Sequence, residues 1–410
     1  MDQPVNQGKP RYRWAKRARD TIAPAVTAHG KLIELGGGYD FPGTLPDVVS
    51  EAIAAARSKR ETLQYGPLYG LEDLRDAIVD YLRRDGISTA RENILVVNGA
   101  KHGLDLVCRV FLEPGDLVIV AAPTYLNAVR IFKNAEAHFV SIPQDEEGMD
   151  TEILGNRLQA RHDAGEPLPK LLFDMPDFHN PTAIAMSAAR RQRLVELAKE
   201  YDFVIIEDDP YRRVRFGGAS VPPIKAFDND GRVISLGTIS KILAPGLRIG
   251  WVNADPAIIR RMASHKSDGG TSPLLQRIVV QLFRSGKVDQ HVAALSSLLR
   301  VHRDAMIDAI REHLPGTSVC APNGGYFLWV QLPAEIDADE LVRRAGNEGV
   351  SIISGRLCFA EEPAGSFLRL AYSFSAPDEI AEGVKRLGRA YVAMRSEVGA
   401  PTKEASDIDH

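Results

Sequence analysis

The stretch SLGTISKILAPGLRIGW, residues 235–251, runs from an apolar segment into a turn that contains two hydroxyls, a lysine and an arginine. These polar residues are Thr238, Ser240, Lys241 and Arg248. A lysine at the end of a buried strand is desolvated, which favours the neutral amine that forms a Schiff base with an aldehyde. The hydroxyls and the planar guanidinium suit a phosphate group. An exposed loop lysine is the commoner interpretation of a single Lys, but the pattern around Lys241 is far more specific.

Short β-branched apolar runs recur through the middle of the chain and predict buried strands. They lie at residues 94–97, 117–120, 171–173, 203–206, 233–236 and 249–252. Helical patterns separate several of them, at residues 103–112, 125–133 and 187–201. Because strands that alternate with helices form largely parallel sheets covered on both faces, the predicted fold class is α/β.

The pattern changes beyond residue 288, where a long helical repeat extends through residue 314. Strand patterns at 326–330 and 367–371 and a helical pattern from 377 to about 394 predict a second, smaller α+β domain. The 410 residues exceed what a single core usually supports. We expect residues 1–55 to be an N-terminal segment of the small domain and residues 56–290 to form the large α/β domain. Residues 291–395 should form the rest of the small domain, and residues 396–410 a flexible tail.

The composition is that of a soluble globular protein, with 44% apolar and 25% charged residues. The net charge of −4 gives no reason to expect a nucleic-acid partner, which usually requires a basic excess. The basic segment 11–19, with interleaved aromatics, is either a nucleic-acid or membrane patch or, as we favour, a terminal amphipathic helix. We recognise neither a secretory signal nor an apolar run of transmembrane length, so we expect a cytoplasmic protein without a membrane partner.

Neither a disulfide framework nor a metal site is predicted. Cys108, Cys320 and Cys358 are far apart and lack partners at metal-ligand spacing, so we expect them to be core thiols. The acidic run EDD, residues 207–209, is compatible with a divalent cation or a solvated loop, but no nucleotide-binding glycine loop precedes it. We therefore expect no metal.

Three more stretches place reactive groups at the ends of predicted strands. The stretch VIIEDDPY, residues 204–211, contains Asp208. A carboxylate at this position can pair with the protonated nitrogen of a pyridine ring, so that the ring stays an electron sink. FDMPDFHNPTA, residues 173–183, contains Asn180, whose amide can donate to a phenolic oxygen. ILVVNGAKHG, residues 94–103, predicts a strand, a glycine turn and a helix start, whose free amides suit a phosphate.

Together these stretches resemble the class I and II aminotransferases of fold type I, and especially the branch of the aminoadipate and kynurenine aminotransferases. The resemblance runs from about Ile33 to Ala393. It implies a pyridoxal 5′-phosphate cofactor and a large domain with a mostly parallel seven-stranded sheet between helices, beside a smaller α+β domain. It also implies ping-pong transfer of an amino group between an L-amino acid and a 2-oxo acid, in a homodimer whose subunits share active sites.

The resemblance assigns the contacts to the cofactor ring. Lys241 would form the Schiff base and then move the proton between the substrate Cα and the cofactor. Asp208 would pair with the ring nitrogen, while Tyr211 and Asn180 would bond the phenolic oxygen. Tyr125 resembles the aromatic residue that stacks on the ring, although a core tyrosine explains that segment about as well.

The resemblance also implies a cup for the cofactor phosphate. Its predicted members are Gly99, Ala100, Lys101, Thr238, Ser240, Arg248 and, from the neighbouring subunit, Tyr65. Lys101 stands where glutamine is common in the family. Its extra cation either tightens phosphate binding or points to solvent.

Arg369 would bind the substrate carboxylate, because it stands between apolar residues of a predicted strand. An unmatched charge there is unfavourable, and the resemblance implies that a bidentate pair with the substrate carboxylate matches it; the alternative is an edge-strand arginine that faces water. Gly38 and Asn180 complete the predicted substrate site, since the glycine loop 36–38 lets backbone approach the carboxylate.

Several positions depart from the family pattern and leave the reaction type open. His179 replaces a common glutamine, and Ala183 replaces the glycine of the Asn-Pro-Thr-Gly motif. The Asn180–Pro181 bond is cis if the resemblance holds and a simple turn otherwise. We expect an aminotransferase, with 2-oxoglutarate as a reasonable acceptor. The alternative is another pyridoxal-phosphate reaction, that of a lyase, cyclase, decarboxylase or oxidase in a specialised biosynthetic pathway.

A non-catalytic sensor is the rival from another class, because related domains occur in regulators fused to a winged helix. Such regulators need a DNA-binding domain of their own. Only about thirty residues precede the family resemblance, which is too few for that domain, so we expect an enzyme.

Overall fold

The computed structural model describes residues 32–42, 50, 52–54 and 60–398. The basic segment 11–19 and residues 399–410 of the predicted tail lie outside the described residues, so what the sequence predicts for them stays a prediction. Within the described ranges, no helix combines the length and the apolar character needed to cross a membrane.

The helices of the described residues include all those that the sequence predicts within the described ranges. They are α1 (Glu72–Arg83), α2 (Ala100–Phe111), α3 (Leu126–Asn134), α4 (Thr151–Asp163), α5 (Ala188–Glu200), α6 (Pro256–Ser264), α7 (Pro273–Arg284), α8 (Lys287–His313), α9 (Ala338–Asn347) and α10 (Pro377–Val398). Helices α2, α3, α5, α8 and α10 match the predicted helical patterns to within four residues at each end.

The strands fall into a large and a small sheet and one isolated pair. They are β1 (Ile33–Glu34), β2 (Ile94–Val97), β3 (Leu117–Ala122), β4 (His138–Asp145), β5 (Gly148–Met149), β6 (Leu171–Asp174), β7 (Val204–Asp209), β8 (Val233–Thr238), β9 (Gly250–Asn253), β10 (Ser318–Val319), β11 (Phe327–Gln331), β12 (Val350–Ser351), β13 (Ile353–Ser354) and β14 (Phe367–Ala371). The predicted apolar runs coincide with β2, β3, β6, β7, β8, β9, β11 and β14.

The large sheet has the strand order β2-β9-β8-β7-β6-β3-β4-β5. Strands β8, β7, β6, β3 and β4 pair in parallel, and β9 is antiparallel to both of its neighbours. The sheet is therefore mostly parallel, and the predicted α/β class is confirmed. Among the described residues it has eight strands instead of the predicted seven, because the two-residue strand β5 folds back on β4 at the edge.

The sequence does not predict strand β4, because its composition is that of a strand at the edge of a sheet. Most of its residues are half-buried or exposed, and Pro143 lies within it. It pairs with β3 along one side and with β5 only through its last two residues. Proline and polar residues are tolerated at a sheet edge, so the continuous apolar run that marks the inner strands is absent here.

The ends of five parallel strands meet at one edge of the large sheet. The residues that follow them are Gly99 after β2, Tyr125 after β3, Asn180 after β6, Tyr211 after β7 and Lys241 after β8. Ligands of open α/β sheets bind outside the carboxyl ends of the strands. The topology thus gathers predicted site residues that lie far apart in the sequence.

The small antiparallel sheet, in the order β10-β11-β14-β13, carries Arg369. On β14, Arg369 lies opposite Trp329 of β11 and Ile353 of β13. Strand β1 pairs in parallel with β12, and Ala371 N donates to Leu35 O at 2.7 Å. These contacts hold the segment after β1 beside β14.

One of the three cysteines lies outside the core. Cys108 and Cys358 are buried, but Cys320 is exposed, so the prediction of a core thiol is wrong for Cys320. It follows β10, a two-residue strand at the edge of the small sheet. An edge strand has a neighbouring strand on one side only, which leaves its end open to solvent.

A buried ion cluster ties together the segments that follow β6 and β7. The Asp177 carboxylate contacts Arg191 at 2.9 Å, Arg212 at 2.9 Å and Arg215 at 3.1 Å, and the side chains of Asp177 and Arg191 are fully buried. Burial raises the pKa of Asp177, but the three guanidinium groups outweigh it and hold the pKa below its ordinary value. Because these segments also carry Asn180 and Tyr211, the cluster fixes the frame of the site.

The variant Asp177→Ala tests this role of the cluster. It leaves buried guanidinium groups without their shared counter-charge, so we expect the free energy of unfolding to fall by about 3 kcal/mol or more. The exposed Asp80 forms a surface pair with Arg83, and Asp80→Ala should change stability by no more than about 0.5 kcal/mol. Urea unfolding of both variants measures the difference, and equal values would contradict a structural role for Asp177.

Candidate active site

Lys241 lies three residues beyond the end of β8, and its side chain is 19% exposed. Its Nζ donates a hydrogen bond to the carbonyl oxygen of Gly38 and lies 3.9 Å from Oδ1 of Asp40. The ring of Tyr326 is 5.2 Å from the same nitrogen. The glycine loop before Tyr39 therefore reaches the lysine at the edge of the large sheet.

The surroundings of Lys241 favour the neutral amine. Burial lowers the pKa of Lys241 below its usual value, and the positive charges of Lys101, Arg248 and Arg369 act in the same direction. The carboxylate of Asp40 opposes them. A neutral amine has the free electron pair that attack on an aldehyde or acceptance of a proton requires.

Asp208 is a buried carboxyl group whose Oδ1 receives no hydrogen bond from the described residues. Burial raises its pKa to about 7, and the negative charge of Asp209 adds to the effect. Buried polar atoms are normally paired, so an orphaned oxygen at the end of β7 points to a ligand with a matching donor. A protonated ring nitrogen meets that requirement, because it supplies both the hydrogen and a positive charge.

Two tyrosines lie within the electrostatic reach of Asp208. Tyr211 is buried, and burial together with Tyr125 holds its pKa well above the ordinary value, so its phenol keeps the hydrogen that it can donate. Tyr125 directly precedes α3, and its hydroxyl accepts a hydrogen bond from Asn127 at 3.0 Å. Burial raises the pKa of Tyr125 as well.

Arg369 is 5% exposed, so the alternative of an arginine that faces water is wrong. Its guanidinium donates to Asn180 Oδ1 at 3.1 Å and to Gly36 O at 2.8 Å, and it lies 4.4 Å above the ring of Phe327. Its Nε has no hydrogen-bond partner among the described residues. A buried cation held by neutral groups is suited to an incoming carboxylate.

The start of α2 and Arg248 form a close junction. Gly99 precedes the helix with φ 86°, and a Cβ there would lie 2.6 Å from Nη2 of Arg248. The same Nη2 donates to Asn98 O at 3.1 Å. A Cβ at Gly250 would lie 2.8 Å from the amide nitrogen of Ala100. Glycine therefore lets the guanidinium and the free first amides of the helix share one small space, which suits an anion.

Two hydroxyls stand on the other side of this junction. Thr238 Oγ1 lies 2.9 Å from Ser240 Oγ and accepts a hydrogen bond from the Ser240 amide at 3.2 Å. Both residues are buried, whereas Lys101 is exposed. Arg248, the α2 amides and these hydroxyls together form a compact set of donors.

The two departures from the family motif support the loop that carries Asn180. His179 is buried with its ring 3.2 Å from Thr182 Oγ1 and 3.4 Å from Asp174 Oδ1. Burial lowers the pKa of His179 to about 3 and raises that of Asp174 to about 7. Ala183 has φ 58°, a left-handed conformation that favours glycine. The Asn180–Pro181 peptide is cis.

Sequence analysis missed two residues beside the lysine. Tyr326 Oη lies 2.7 Å from Asp40 Oδ1 and 2.9 Å from the carbonyl oxygen of Lys241. Each residue does carry a signal. Asp40 follows the triple glycine within two residues, and Tyr326 follows the Gly324–Gly325 pair, where glycines allow a close approach of backbone.

The two acidic neighbours of Asp208 on β7 have partners within the protein itself. Glu207 accepts hydrogen bonds from the amides of Ile224 and Lys225, and Asp209 pairs with Arg212 at 2.6 Å. Across the described residues, no group of three histidine, cysteine or acidic side chains could hold a metal ion.

Tyr65 stands apart from the other predicted site residues. Its side chain is 90% exposed, and the ring lies near Gly269, about 3.4 Å from where a Cβ there would be. The neighbouring Leu63 is also strongly exposed. Tyr65 thus belongs to the surface of the single chain.

The site accommodates a phosphorylated pyridine aldehyde: a buried amine for the aldehyde, an orphaned carboxyl group for the ring nitrogen and a cup of donors for the phosphate. Together with the sheet topology, it defines a pyridoxal-phosphate-dependent enzyme of fold type I. More narrowly, the chain belongs to the family "Aminotransferase class I and II", whose model matches residues 31–387.

Named relatives place the chain in the predicted branch of that family. Aromatic-amino-acid aminotransferase 1 of Thermococcus litoralis is 39% identical over 87% of each chain. The 2-aminoadipate transaminase of Thermus thermophilus is 33% identical over 89% of this chain and 91% of that protein. The crystal structure of Pyrococcus horikoshii kynurenine aminotransferase, in complex with PMP, has a TM-score of 0.88 and 37% identity, covering 94% of this chain and 98% of that chain.

These findings confirm the predicted aminotransferase, its pyridoxal-phosphate cofactor and its amino acid and 2-oxo acid substrates. They do not favour the alternative of a lyase, cyclase, decarboxylase or oxidase. The protein is a transferase enzyme.

The raised pKa of Asp208 predicts a pH-dependent stability of the cofactor-free protein. Its folded pKa of about 7 lies above the ordinary 3.8, so its stabilising contribution is complete below about pH 4 and is lost as the pH rises through 7. Asp208→Asn removes this dependence and should raise the free energy of unfolding at pH 8 by about 2 kcal/mol. Urea unfolding at pH 5 and pH 8 measures it, with Asp80→Asn as the control. The same pH dependence in Asp208→Asn and wild type would refute the raised pKa.

Proposed function

We propose that this aminotransferase works through Lys241, whose amine forms the Schiff base to pyridoxal phosphate and then carries the substrate proton. The observation that supports this most directly is a buried amine with a lowered pKa at the end of β8, beside groups that suit the cofactor. The bound cofactor supplies an aldehyde carbon and an electron-withdrawing ring that acidifies the substrate Cα.

Lys241 acts first as a nucleophile and then as a base. Both roles need the neutral amine, which burial and the nearby cations favour. The hydrogen bond from Nζ to Gly38 O directs the nitrogen toward the side of the site that the small sheet closes. Arg369, on that sheet, lies close enough to act on the pKa of Lys241, so a substrate bound there presents its Cα near the amine.

Four residues orient the cofactor ring: Asp208, Tyr211, Asn180 and Tyr125. The Asp208 carboxylate holds the proton of the ring nitrogen, and the resulting ion pair lowers the pKa that burial raises in the free protein. Tyr211 keeps its phenolic hydrogen and donates it toward the ring oxygen, beside the Asn180 amide. Tyr125 restrains the ring plane from the start of α3.

The cup at the start of α2 binds the phosphate. Gly99 leads into the helix, the amides of Ala100 and Lys101 offer hydrogens at its positive end, and Arg248 supplies a full charge. Thr238 and Ser240 add hydroxyl donors from the end of β8. This anchor holds the cofactor when Lys241 is released from it.

Arg369 binds the α-carboxylate of both substrates in turn, with Asn180 and Gly36 in contact with it and Gly38 of the same glycine loop in contact with Lys241. An amino acid and a 2-oxo acid carry the same carboxylate and compete for one guanidinium. The first product must leave before the second substrate binds, which is a ping-pong order.

We propose a homodimer in which Tyr65 of one subunit reaches the phosphate cup of the other. Its side chain and that of Leu63 are strongly exposed in the single chain, which fits an interface.

We propose the domain division that the sequence predicts. It is supported by the described ranges, since the large sheet falls within 56–290 and the small sheet within 291–395.

We also propose that the enzyme is cytoplasmic, because free cysteines fit a reducing compartment.

The test combines chemical trapping with turnover. Borohydride treatment of the loaded enzyme should attach the cofactor to Lys241, identified by peptide mass spectrometry. Lys241→Ala should lose both the adduct and at least about 10³-fold of the transfer rate, whereas the exposed Lys199→Ala should keep both. Aromatic amino acids, kynurenine and 2-aminoadipate are the donors to assay, with 2-oxoglutarate as the acceptor. Ammonia release without an acceptor, or an adduct at another lysine, would refute the proposal.

A further inference from the structure

Asp40 is a buried acid beside Lys241 for which the proposed function has no role. Its side chain is 6% exposed, and Oδ1 lies 3.9 Å from Lys241 Nζ. Tyr326 Oη is 2.7 Å from the same oxygen. A buried carboxyl group so close to an amine changes the charge that the amine carries.

The position of Tyr326 links Asp40 to the backbone of the lysine. Tyr326 Oη lies 2.7 Å from Asp40 Oδ1 and 2.9 Å from the carbonyl oxygen of Lys241. A phenol has one hydrogen, so it cannot donate to two acceptors at full strength. When Asp40 is protonated, its O–H donates to Tyr326 Oη, and Tyr326 donates to the carbonyl oxygen. When Asp40 is ionised, Tyr326 donates to the carboxylate instead.

The groups that face the Lys241 nitrogen come from several elements. The cations are Lys101, Arg248 and Arg369, Asp40 supplies negative charge, and the phenols of Tyr326 and Tyr211 lie beside them. Burial raises the pKa of Asp40, while Lys241 and the hydrogen bond from Tyr326 lower it. Asp40 and Lys241 therefore each favour the charged form of the other.

We propose that the carboxylate of Asp40, held by Tyr326, is the counter-charge that stabilises the cationic form of the Lys241 nitrogen. Asp40 is a positioning residue that acts through the nitrogen. The inference rests on the proposed Schiff base at Lys241.

Loss of Asp40 should lower the pKa of the Schiff-base nitrogen. The measurement is a pH titration of the Schiff-base absorbance in the loaded enzyme, which needs no turnover. Asp40→Asn should move the midpoint down by about one pH unit or more, because the nitrogen loses a nearby negative charge. Tyr326→Phe should move it in the same direction by less, since the unsupported Asp40 ionises less readily.

Asp80→Asn makes the same chemical change at an exposed position and should leave the midpoint where it is in the wild type. An unchanged or higher midpoint in Asp40→Asn overturns the inference. Should Asp40→Asn fail to fold, Tyr326→Phe decides, and an unchanged midpoint in that variant overturns the inference.

Failure of the proposed function is distinguishable from failure of this inference. If wild type gives no borohydride-stable adduct at Lys241, the Schiff base proposal fails. The pair is then tested in cofactor-free protein, where ¹³C NMR of labelled lysine follows the Lys241 amine. A lower amine pKa in Asp40→Asn than in wild type supports the counter-charge, and equal values overturn it.

Discussion

The burial of the Lys241 amine at the carboxyl end of β8 is the constraint on which the rest of the site depends. Water stabilises an ammonium group, so its exclusion favours the neutral nitrogen. Three cations strengthen this effect, and Asp40 limits it. The result is an amine that can attack a carbonyl carbon and can also accept a proton, which the same group in water does poorly at neutral pH.

Asp208 is the counterpart of this amine on the neighbouring strand. Burial disfavours the charged form of both groups, so it lowers the pKa of the amine and raises that of the carboxyl group. Parallel pairing of β7 and β8 places Asp208 opposite Leu236, five residues before Lys241. A ligand with a carbonyl group for the Lys241 amine and a cationic N–H for the Asp208 carboxyl group suits both residues. The backbone register therefore determines the shape of the cofactor that fits.

The strand ends could be predicted from the sequence because inner strands contain mostly apolar runs, as at residues 203–206 and 233–236. Lys241, Asp208 and Asn180 follow such runs, which is why the sequence could predict them as site residues. The sequence does not predict Asp40 and Tyr326, because their roles arise from contacts with Lys241 across 201 and 85 positions of sequence. Strand β4 was missed for a different reason, since an edge strand with Pro143 lacks the apolar run of an inner one.

The pKa of the Lys241 amine in the cofactor-free enzyme tests the central claim most directly. Competitive acetylation at a series of pH values, analysed by peptide mass spectrometry, gives this value, with the exposed Lys199 as the reference in the same sample. The account predicts that Lys241 loses its proton at a pH below the ordinary 10.5. A Lys241 pKa at or above 10.5 would show that burial does not govern the amine, and the account would fail.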